Sequence, residues 1–341
     1  MTTVFGHGKC HEIPPRMEPD APSEGRARVA EPAIVTTMDI ARTSAATASL
    51  AVAALGAALA ATGTANPLDH PGRPFSTALA VYPGGWANWI FLGCGLVALA
   101  AALRPRQSLW TAATAIVALL ALMDASTLMA VGYLPAVLIG TVLGLDRANV
   151  SLLLSHGLLL QILLLATVAA FGVLAARRVR TTGDDLADVT ARTRRWTRIA
   201  IEAPLLYALT RVLMFFCVPG FDMFAFGEPV LWAGLGLAVS ASLGAWLTCG
   251  LVRPWGEVFP RWLPGLRGRR VPVRLAVVPG LLVAVMVATA AKDLFQSLGA
   301  GGLAVIAEWP LVILPSLLWP LWAFALAMAT ANYGLRRTLA G

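Results

Sequence analysis

Residues 151–178 read SLLLSHGLLLQILLLATVAAFGVLAARR, an apolar run that ends at a pair of arginines. A helix needs about 20 residues to cross the ~30 Å hydrocarbon core of a bilayer. A run of this length is expected to be helical there, because the hydrocarbon core holds no water and a helix satisfies the hydrogen bonds of its own backbone. Arginines at one end are typical of a cytoplasmic helix end. The stretch therefore predicts a membrane-spanning helix.

Similar runs recur along the chain and predict an all-α, polytopic transmembrane helix bundle. The 341-residue chain is 58% hydrophobic and 13% charged, whereas a soluble domain usually has a charged fraction of about 25%. We expect about eight spans, near 43–64, 86–103, 109–132, 151–175, 198–217, 230–252, 273–291 and 311–332. The bundle then occupies residues 43–335 and is followed by a cytoplasmic tail, 336–341.

Residues 1–42 form a leader that is rich in Pro, Glu and Arg and lacks periodicity, which predicts a disordered cytoplasmic segment. Met38 is an alternative translation start. The first span holds ten alanines and three leucines. It is either a retained helix whose small residues allow close packing or, with a start at Met38, a cleaved signal peptide. The retained helix is the interpretation we prefer.

The basic residues predict the topology. Of the 26 Arg and Lys residues, 22 lie in alternating segments that include both termini, three lie in the other connections, and Arg211 lies within a span. This asymmetry predicts a plasma-membrane protein with both termini cytoplasmic. The arginines flank apolar runs, so the bilayer and its anionic headgroups are the expected partners rather than nucleic acid. The scarcity of lysine beside abundant Ala and Arg suggests a GC-rich bacterial genome.

Eight spans with both ends on one side also allow a parallel four-plus-four repeat. The second and sixth spans end in Arg-Pro, and the fourth and eighth end in an Arg pair. The alternative is that these dipeptides simply mark cytoplasmic helix ends.

Ionisable residues inside the predicted spans are the candidate binding residues, since a charge in hydrocarbon costs several kcal/mol. Asp124, His156 and Arg211 fall at similar depths in the outer half of the membrane, and Glu202 lies nearer the cytoplasm. The first three either form a polar pocket, with Arg211 paired to Asp124 and His156 passing a proton, or tie helices together, or occupy unrelated positions. For Glu202, neutralisation by nearby arginines is the preferred interpretation.

Two other features are candidates for function. Pro315 and Pro320 predict a kinked or unwound last span, because proline removes a helix hydrogen bond, and broken helices often line transporter sites. A plain kink is the simpler interpretation. An interfacial loop mixes aromatic and charged residues, and we expect it to lie along the headgroups; a docking surface is the alternative. Its members of interest are Trp255, Glu257, Arg261 and Trp262.

The missing motifs restrict the function. The sequence has no G-x-x-x-x-G-K-[ST] phosphate-binding loop and no metal-ligand spacing, so we expect no cofactor and no metal, and we assign no catalytic residue. The leading hypothesis is an integral membrane protein that handles a small molecule or an ion without nucleotide hydrolysis, rather than an enzyme. The alternatives are a membrane-embedded enzyme for a lipid or isoprenoid, using Asp124 and Glu202, and a membrane scaffold or accessory subunit.

Residues 255–272, WGEVFPRWLPGLRGRRVP, together with AVVP at 276–279 and LWPLW at 318–322, resemble a family of multi-pass membrane proteins from high-GC bacteria. The resemblance covers about residues 200–335. It implies a membrane-embedded helix bundle and brings no activity, substrate or catalytic residue with it.

Overall fold

A computed structural model describes residues 24–68, 79, 85–104, 108–142, 144, 156–178, 185–221, 228–261, 264–299 and 303–340. The chain divides into two units, residues 1–40 and 41–341, and the packed helix bundle lies in the second. The described residues are helical apart from turns and one isolated antiparallel bridge between Val258 and Arg270. The all-α prediction is therefore confirmed.

Eleven α-helices follow one another in the described residues, with short 3-10 helices at Pro254–Gly256 and Leu314–Leu318. They are α1 Glu24–Thr62, α2 Trp86–Leu103, α3 Leu109–Leu122, α4 Ser126–Val142, α5 His156–Arg178, α6 Leu186–Phe215, α7 Glu228–Cys249, α8 Val273–Ser297, α9 Leu303–Glu308, α10 Pro310–Ile313 and α11 Trp319–Leu339.

Five helical segments in the described residues are long and apolar enough to cross a membrane, and the bent pair α3–α4 makes a sixth. This confirms a helical protein with several segments able to span a bilayer. The count of eight spans, the cytoplasmic termini and the repeat stay predictions. The five segments are Ala41–Thr62, Trp86–Leu103, Gly157–Ala175, Val273–Ser297 and Pro310–Leu339.

Two boundaries differ from those that we expected. The helix α1 begins at Glu24, inside the segment interpreted as a leader; residues 1–23 lie outside the described residues, so the leader stays a prediction. The helix α8 continues to Ser297, six residues beyond the expected end at 291. The charged residues at positions 292 and 293 lie within the helix, where they bind backbone groups of Met123 and Ala125.

Small residues bring α1 and α2 into close contact. A Cβ atom built on Gly56 would lie 2.7 Å from the backbone of Leu92, and one on Gly95 would lie 2.8 Å from the backbone of Ala53. Such approaches are possible only where both helices lack bulk. Arg42 of α1 donates to the last carbonyls of α2, at Ala102 and Leu103. A cation is stabilised there by the partial negative charge at the carboxyl end of the helix.

The core has two main parts. One apolar cluster is built from α1, α2, α3 and α5 and also takes in Met286 of α8. A second is built from α6, α8 and α11, and α7 packs on α6 through Tyr207 and Ala241. The helix α8 therefore joins the two parts, and the bent pair α3–α4 lies beside it.

The segment before α11 is irregular. The helix α10 gives way to a 3-10 helix at Leu314–Leu318, which contains Pro315, and α11 then starts with Pro320 in its first turn. The irregular turn falls where the two prolines predict a kink. Proline at a helix start costs no hydrogen bond, because the first N–H groups of a helix have no partner within it.

Candidate functional site

The chain leaves the helical path inside the expected third span. Between α3 and α4 it turns by 73° at Met123, Asp124 and Ala125, all of them buried. Neither proline nor glycine occurs in this turn, so the usual sequence causes of a helix kink are absent. The break must be held by partners from elsewhere in the fold.

Side chains bind four backbone groups of the break. The Lys292 ammonium donates to the carbonyl of Met123 at 2.6 Å, and the Gln161 amide oxygen accepts from the N–H of Asp124 at 3.3 Å. The Asp293 carboxylate accepts from the N–H of Ala125 at 2.7 Å, and the Asp124 carboxylate accepts from the N–H of Ser126 at 2.9 Å. An unwound segment is tolerated within a membrane only when its backbone groups are satisfied in this way.

The charges match the polarity of the two half-helices. Lys292 lies at the carboxyl end of α3, where helix carbonyls carry partial negative charge, and Asp293 and Asp124 lie at the amino end of α4, where N–H groups carry partial positive charge. Helix dipoles favour this arrangement at both ends. Lys292 Nζ is also 2.8 Å from Asp293 Oδ1, so the three charged groups form one polar centre with Gln161. We call these four residues the break cluster.

A cavity of about 680 Å³ adjoins the break cluster. Ala125 of the break lines it, together with Ala290, which is one turn before Asp293 on α8. Among the described residues, Arg211 is the single charged residue in its lining, which is otherwise dominated by apolar groups. Its other lining residues come from α4, α6, α7, α8 and α11 and include Leu128, Met129, Met214, Leu237, Met286 and Trp322.

Two donors at this cavity have no hydrogen-bond partner. Arg211 lies 4.8 Å from the ring centroid of Tyr207 and contacts the sulfur of Met214 at 3.5 Å, while its Nε is buried and unpaired. The indole N–H of Trp319, whose ring packs against Tyr207, is likewise buried and unpaired. Buried donors normally have an acceptor, so this pair points to a ligand that carries one. We call this space the Arg211 cavity.

A second cavity of about 420 Å³ continues from the first. The two share the lining residues Gly244, Leu247, Val283 and Trp322, and no charged residue lines the second in the described part of the chain. Along α7 the shared groove runs from Gly234 to Gly250, which at ~1.5 Å per residue is roughly 24 Å. A ligand that filled it would be long and apolar, with a head at Arg211.

The structure separates the four predicted binding residues. Asp124 belongs to the break cluster, and Arg211 to the cavity beside it. The described residues show no ion pair between them, because the Asp124 carboxylate accepts from Ser126. His156 is the first residue of α5, and its side chain lies outside the described residues. Pairing of Arg211 with Asp124, which was one of three alternatives, stays a prediction, and the break and Arg211 border one cavity.

Glu202 lies away from this site. Its side chain is 60% exposed and pairs with Arg198 at 2.7 Å, one helical turn earlier on α6. This is the local neutralisation that the sequence suggested, and an exposed pair of this kind contributes little to stability.

Sequence reasoning missed Lys292, Asp293 and Gln161. The first two lie just beyond the expected end of their span at 291, and Gln161 is a single polar residue within an apolar run. A polar residue in the middle of a spanning helix is itself a signal of an interior partner. Trp319 was missed because its unpaired N–H is a property of the tertiary structure.

The interfacial loop is tied to the end of α11. The Arg336 guanidinium binds Glu257 at 2.5 Å, and the Tyr333 hydroxyl donates to the carbonyl of Gly256 at 2.7 Å. Trp255 stacks on Trp246 of α7 at 5.2 Å between ring centroids and lines the second cavity. Arg261 is exposed, and Trp262 lies outside the described residues.

No family model matches the chain, and no curated protein and no solved structure matches it. The resemblance drawn from residues 255–272 stays a prediction, and the functional argument rests on the geometry of the site.

Proposed function

We propose that this protein is a membrane-embedded carrier for an amphipathic molecule with an anionic head and a long apolar body, and that it works without nucleotide hydrolysis. The observation that carries the proposal is Arg211, a cation with an unpaired buried Nε in the wall of an otherwise apolar cavity. Such a cation calls for an anionic partner, and the described residues supply none within ion-pair distance.

The head of the ligand follows from the two unpaired donors. Arg211 and Trp319 both border the cavity, and the Nε–H of Arg211 and the indole N–H of Trp319 both lack an acceptor. A carboxylate or phosphate oxygen would satisfy both, and hydrogen bonds between a guanidinium and an oxyanion are about twice as strong as neutral ones. A neutral head of similar size would satisfy the indole but leave the charge of Arg211 uncompensated.

The body of the ligand follows from the length and the chemistry of the groove. The two adjoining cavities, about 680 and 420 Å³, are lined mainly by Leu, Val, Met, Ala and Trp side chains and by glycines. Their extent along α7, roughly 24 Å by helix rise, approaches the ~30 Å thickness of the hydrocarbon core. An acyl or isoprenoid chain suits such a groove better than a compact solute does.

The enzyme alternative relied on Asp124 and Glu202 as an acid–base pair. Glu202 is exposed and bound to Arg198, whereas Asp124 is buried at the break. These different environments favour the carrier, and the enzyme alternative stays a prediction. The scaffold alternative stays a prediction, since the interfacial loop is held by α11 and retains exposed arginines.

Binding of a fluorescent oleate tests whether the head of the ligand is anionic. Purified protein in phosphatidylcholine nanodiscs should bind the oleate and should bind its methyl ester much more weakly. Arg211→Gln should weaken oleate binding by about tenfold or more, because a hydrogen bond to a charged group contributes roughly 1.5–3 kcal/mol. Arg198→Gln, which removes an exposed guanidinium on the same helix, is the control. Equal binding of acid and ester would refute an anionic ligand.

The substitution Gly244→Phe tests whether the ligand has a long apolar body. Gly244 lines both cavities and has no atom within 4 Å of an added Cβ, so the ring would fill the junction without a backbone clash. We expect loss of binding for long chains and little change for an eight-carbon acid. Gly172→Phe, also with open space at its Cβ, is the matched control.

Flux into proteoliposomes then separates a carrier from a binding protein. Uptake of the bound acid should be lost in Arg211→Ala. Unchanged flux would rule out this cavity as the transport site.

A further inference from the structure

The break cluster is a second site, distinct from the Arg211 cavity in its chemistry. Its groups are two carboxylates, Asp124 and Asp293, one ammonium, Lys292, and the amide of Gln161. Asp293 accepts from the N–H of Ala125, the residue that follows Asp124. The two carboxylates thus border the same peptide unit.

The charges of the cluster do not balance. With both carboxylates ionised and Lys292 protonated, the net charge is −1. The segments packed on α8 near the cluster are α3, α4, α5 and the 3-10 helix Leu314–Leu318, and in their described parts none brings a further charged side chain to it. Arg211 of α6 borders the cavity beside the cluster, but the described residues show no ion pair between Arg211 and either carboxylate. The charged residues of α11, Arg336 and Arg337, are held at its other end by the interfacial loop. An unbalanced buried charge is unfavourable and is normally removed by binding a proton or a cation.

The amide of Gln161 is a second sign that the cluster binds a ligand. The residue is 1% exposed, its oxygen accepts from Asp124, and its nitrogen has no partner. The unused N–H donor therefore lies beside Asp124 and suits an oxygen that is itself bound in the cluster, such as a carboxyl oxygen or a water that delivers the proton.

A proton fits this cluster better than a metal ion does. Lys292 Nζ already occupies the position between the Met123 carbonyl, at 2.6 Å, and Asp293, at 2.8 Å. The described residues contain no group of three His, Cys, Asp or Glu side chains that could hold a metal ion. The Lys292 side chain is 24% exposed while that of Asp293 is 0% exposed, so Lys292 is the member of this ion pair that reaches the surface.

We propose that the Asp124–Asp293 pair binds one exchangeable proton at the break between α3 and α4. In the binding step a hydronium ion transfers H⁺ to a carboxylate oxygen, an O–H bond forms, water is released, and no electrons are exchanged. Release is the reverse step. The proton belongs to the coupled pair rather than to either residue alone, and it neutralises the excess charge while the ion pair with Lys292 is kept. The proposal does not depend on the ligand of the Arg211 cavity.

Infrared difference spectroscopy on the full-length protein in nanodiscs tests this, with no added ligand. On raising the pH, wild type should lose one buried carboxylic-acid C=O band, which shifts in deuterated water. The band should vanish in Asp124→Asn/Asp293→Asn, whose amide oxygens still accept from the backbone, and persist in the control Glu202→Gln. A band of undiminished amplitude in the double variant, or no such band in wild type, would overturn the proposal.

The variant Lys292→Met provides a second test of the proposal, which applies even if the double variant does not fold. It leaves both carboxyls in place and removes the cation that favours their ionised form. The midpoint at which the band disappears should therefore move to higher pH than in wild type. An unchanged midpoint would overturn the proposal.

Discussion

Asp124 stabilises the start of α4. Its carboxylate accepts from both the N–H and the hydroxyl of Ser126, and short polar side chains of this kind compete with helix hydrogen bonds and favour turns. The depth of Asp124 in an apolar run marked it as a candidate site. The structure adds that the same side chain holds a local turn, so its effect on stability and its effect on function must be separated by choice of substitution.

Asp124→Ala should lower the free energy of unfolding by about 1–3 kcal/mol, because it leaves the partly buried N–H and hydroxyl of Ser126 without an acceptor. Asp124→Asn should keep most of the stability, since the amide oxygen still accepts. Thermal unfolding in detergent measures both, with Glu202→Ala as the exposed control, for which roughly 0.5 kcal/mol or less is expected. Equal losses for Ala and Asn would show that charge, rather than hydrogen bonding, matters at this position.

At the scale of helices, the contact of α1 with α2 depends on which glycine faces the partner. Gly93 and Gly95 are both in α2, but only Gly95 meets the backbone of Ala53, while an added Cβ on Gly93 would meet nothing within 4 Å. At 3.6 residues per turn, side chains two residues apart point in directions about 200° apart around the helix axis. Identical residues two positions apart therefore have opposite environments.

Gly95→Leu should destabilise the protein by about 1–3 kcal/mol or more, because backbone atoms cannot move aside as a side chain can. Gly93→Leu should be neutral or slightly stabilising, since leucine favours a helix over glycine by up to about 1 kcal/mol. The unfolding midpoints of the two variants, compared with wild type, check the sign of each change. A similar loss in both would mean that α1 and α2 are not in contact at this position.

At the scale of the whole molecule, the interfacial loop and the carboxyl end of α11 lie at one end of the bundle. Arg337 donates to the Tyr333 hydroxyl at 2.9 Å and to the carbonyl of Val271 at 3.2 Å, and Arg336 binds Glu257. The basic residues of this end match the asymmetry from which cytoplasmic termini are predicted.

Single cysteines in a variant without the native cysteines should report this topology in intact bacterial cells. Thr64→Cys, at the exposed end of α1, should react with a membrane-impermeant maleimide. Arg267→Cys and Thr338→Cys should react only after permeabilisation. In intact cells, labelling of position 267 without labelling of position 338 would contradict the prediction that the interfacial loop and the C-terminus lie on the same side of the membrane. Labelling of all three positions would contradict the prediction that this side is cytoplasmic.

The sequence determined that this chain is helical and that several of its helices can span a membrane, because apolar runs of sufficient length have no other way to satisfy their backbone in hydrocarbon. It also identified Asp124 and Arg211 through the cost of burying charge. The tertiary structure decided where the third run breaks, since no proline or glycine marks Met123–Ala125 and the break is held by Lys292, Asp293 and Gln161 from other helices. Such partners are far apart in sequence, and which side chain meets which backbone group depends on helix packing that no local pattern encodes.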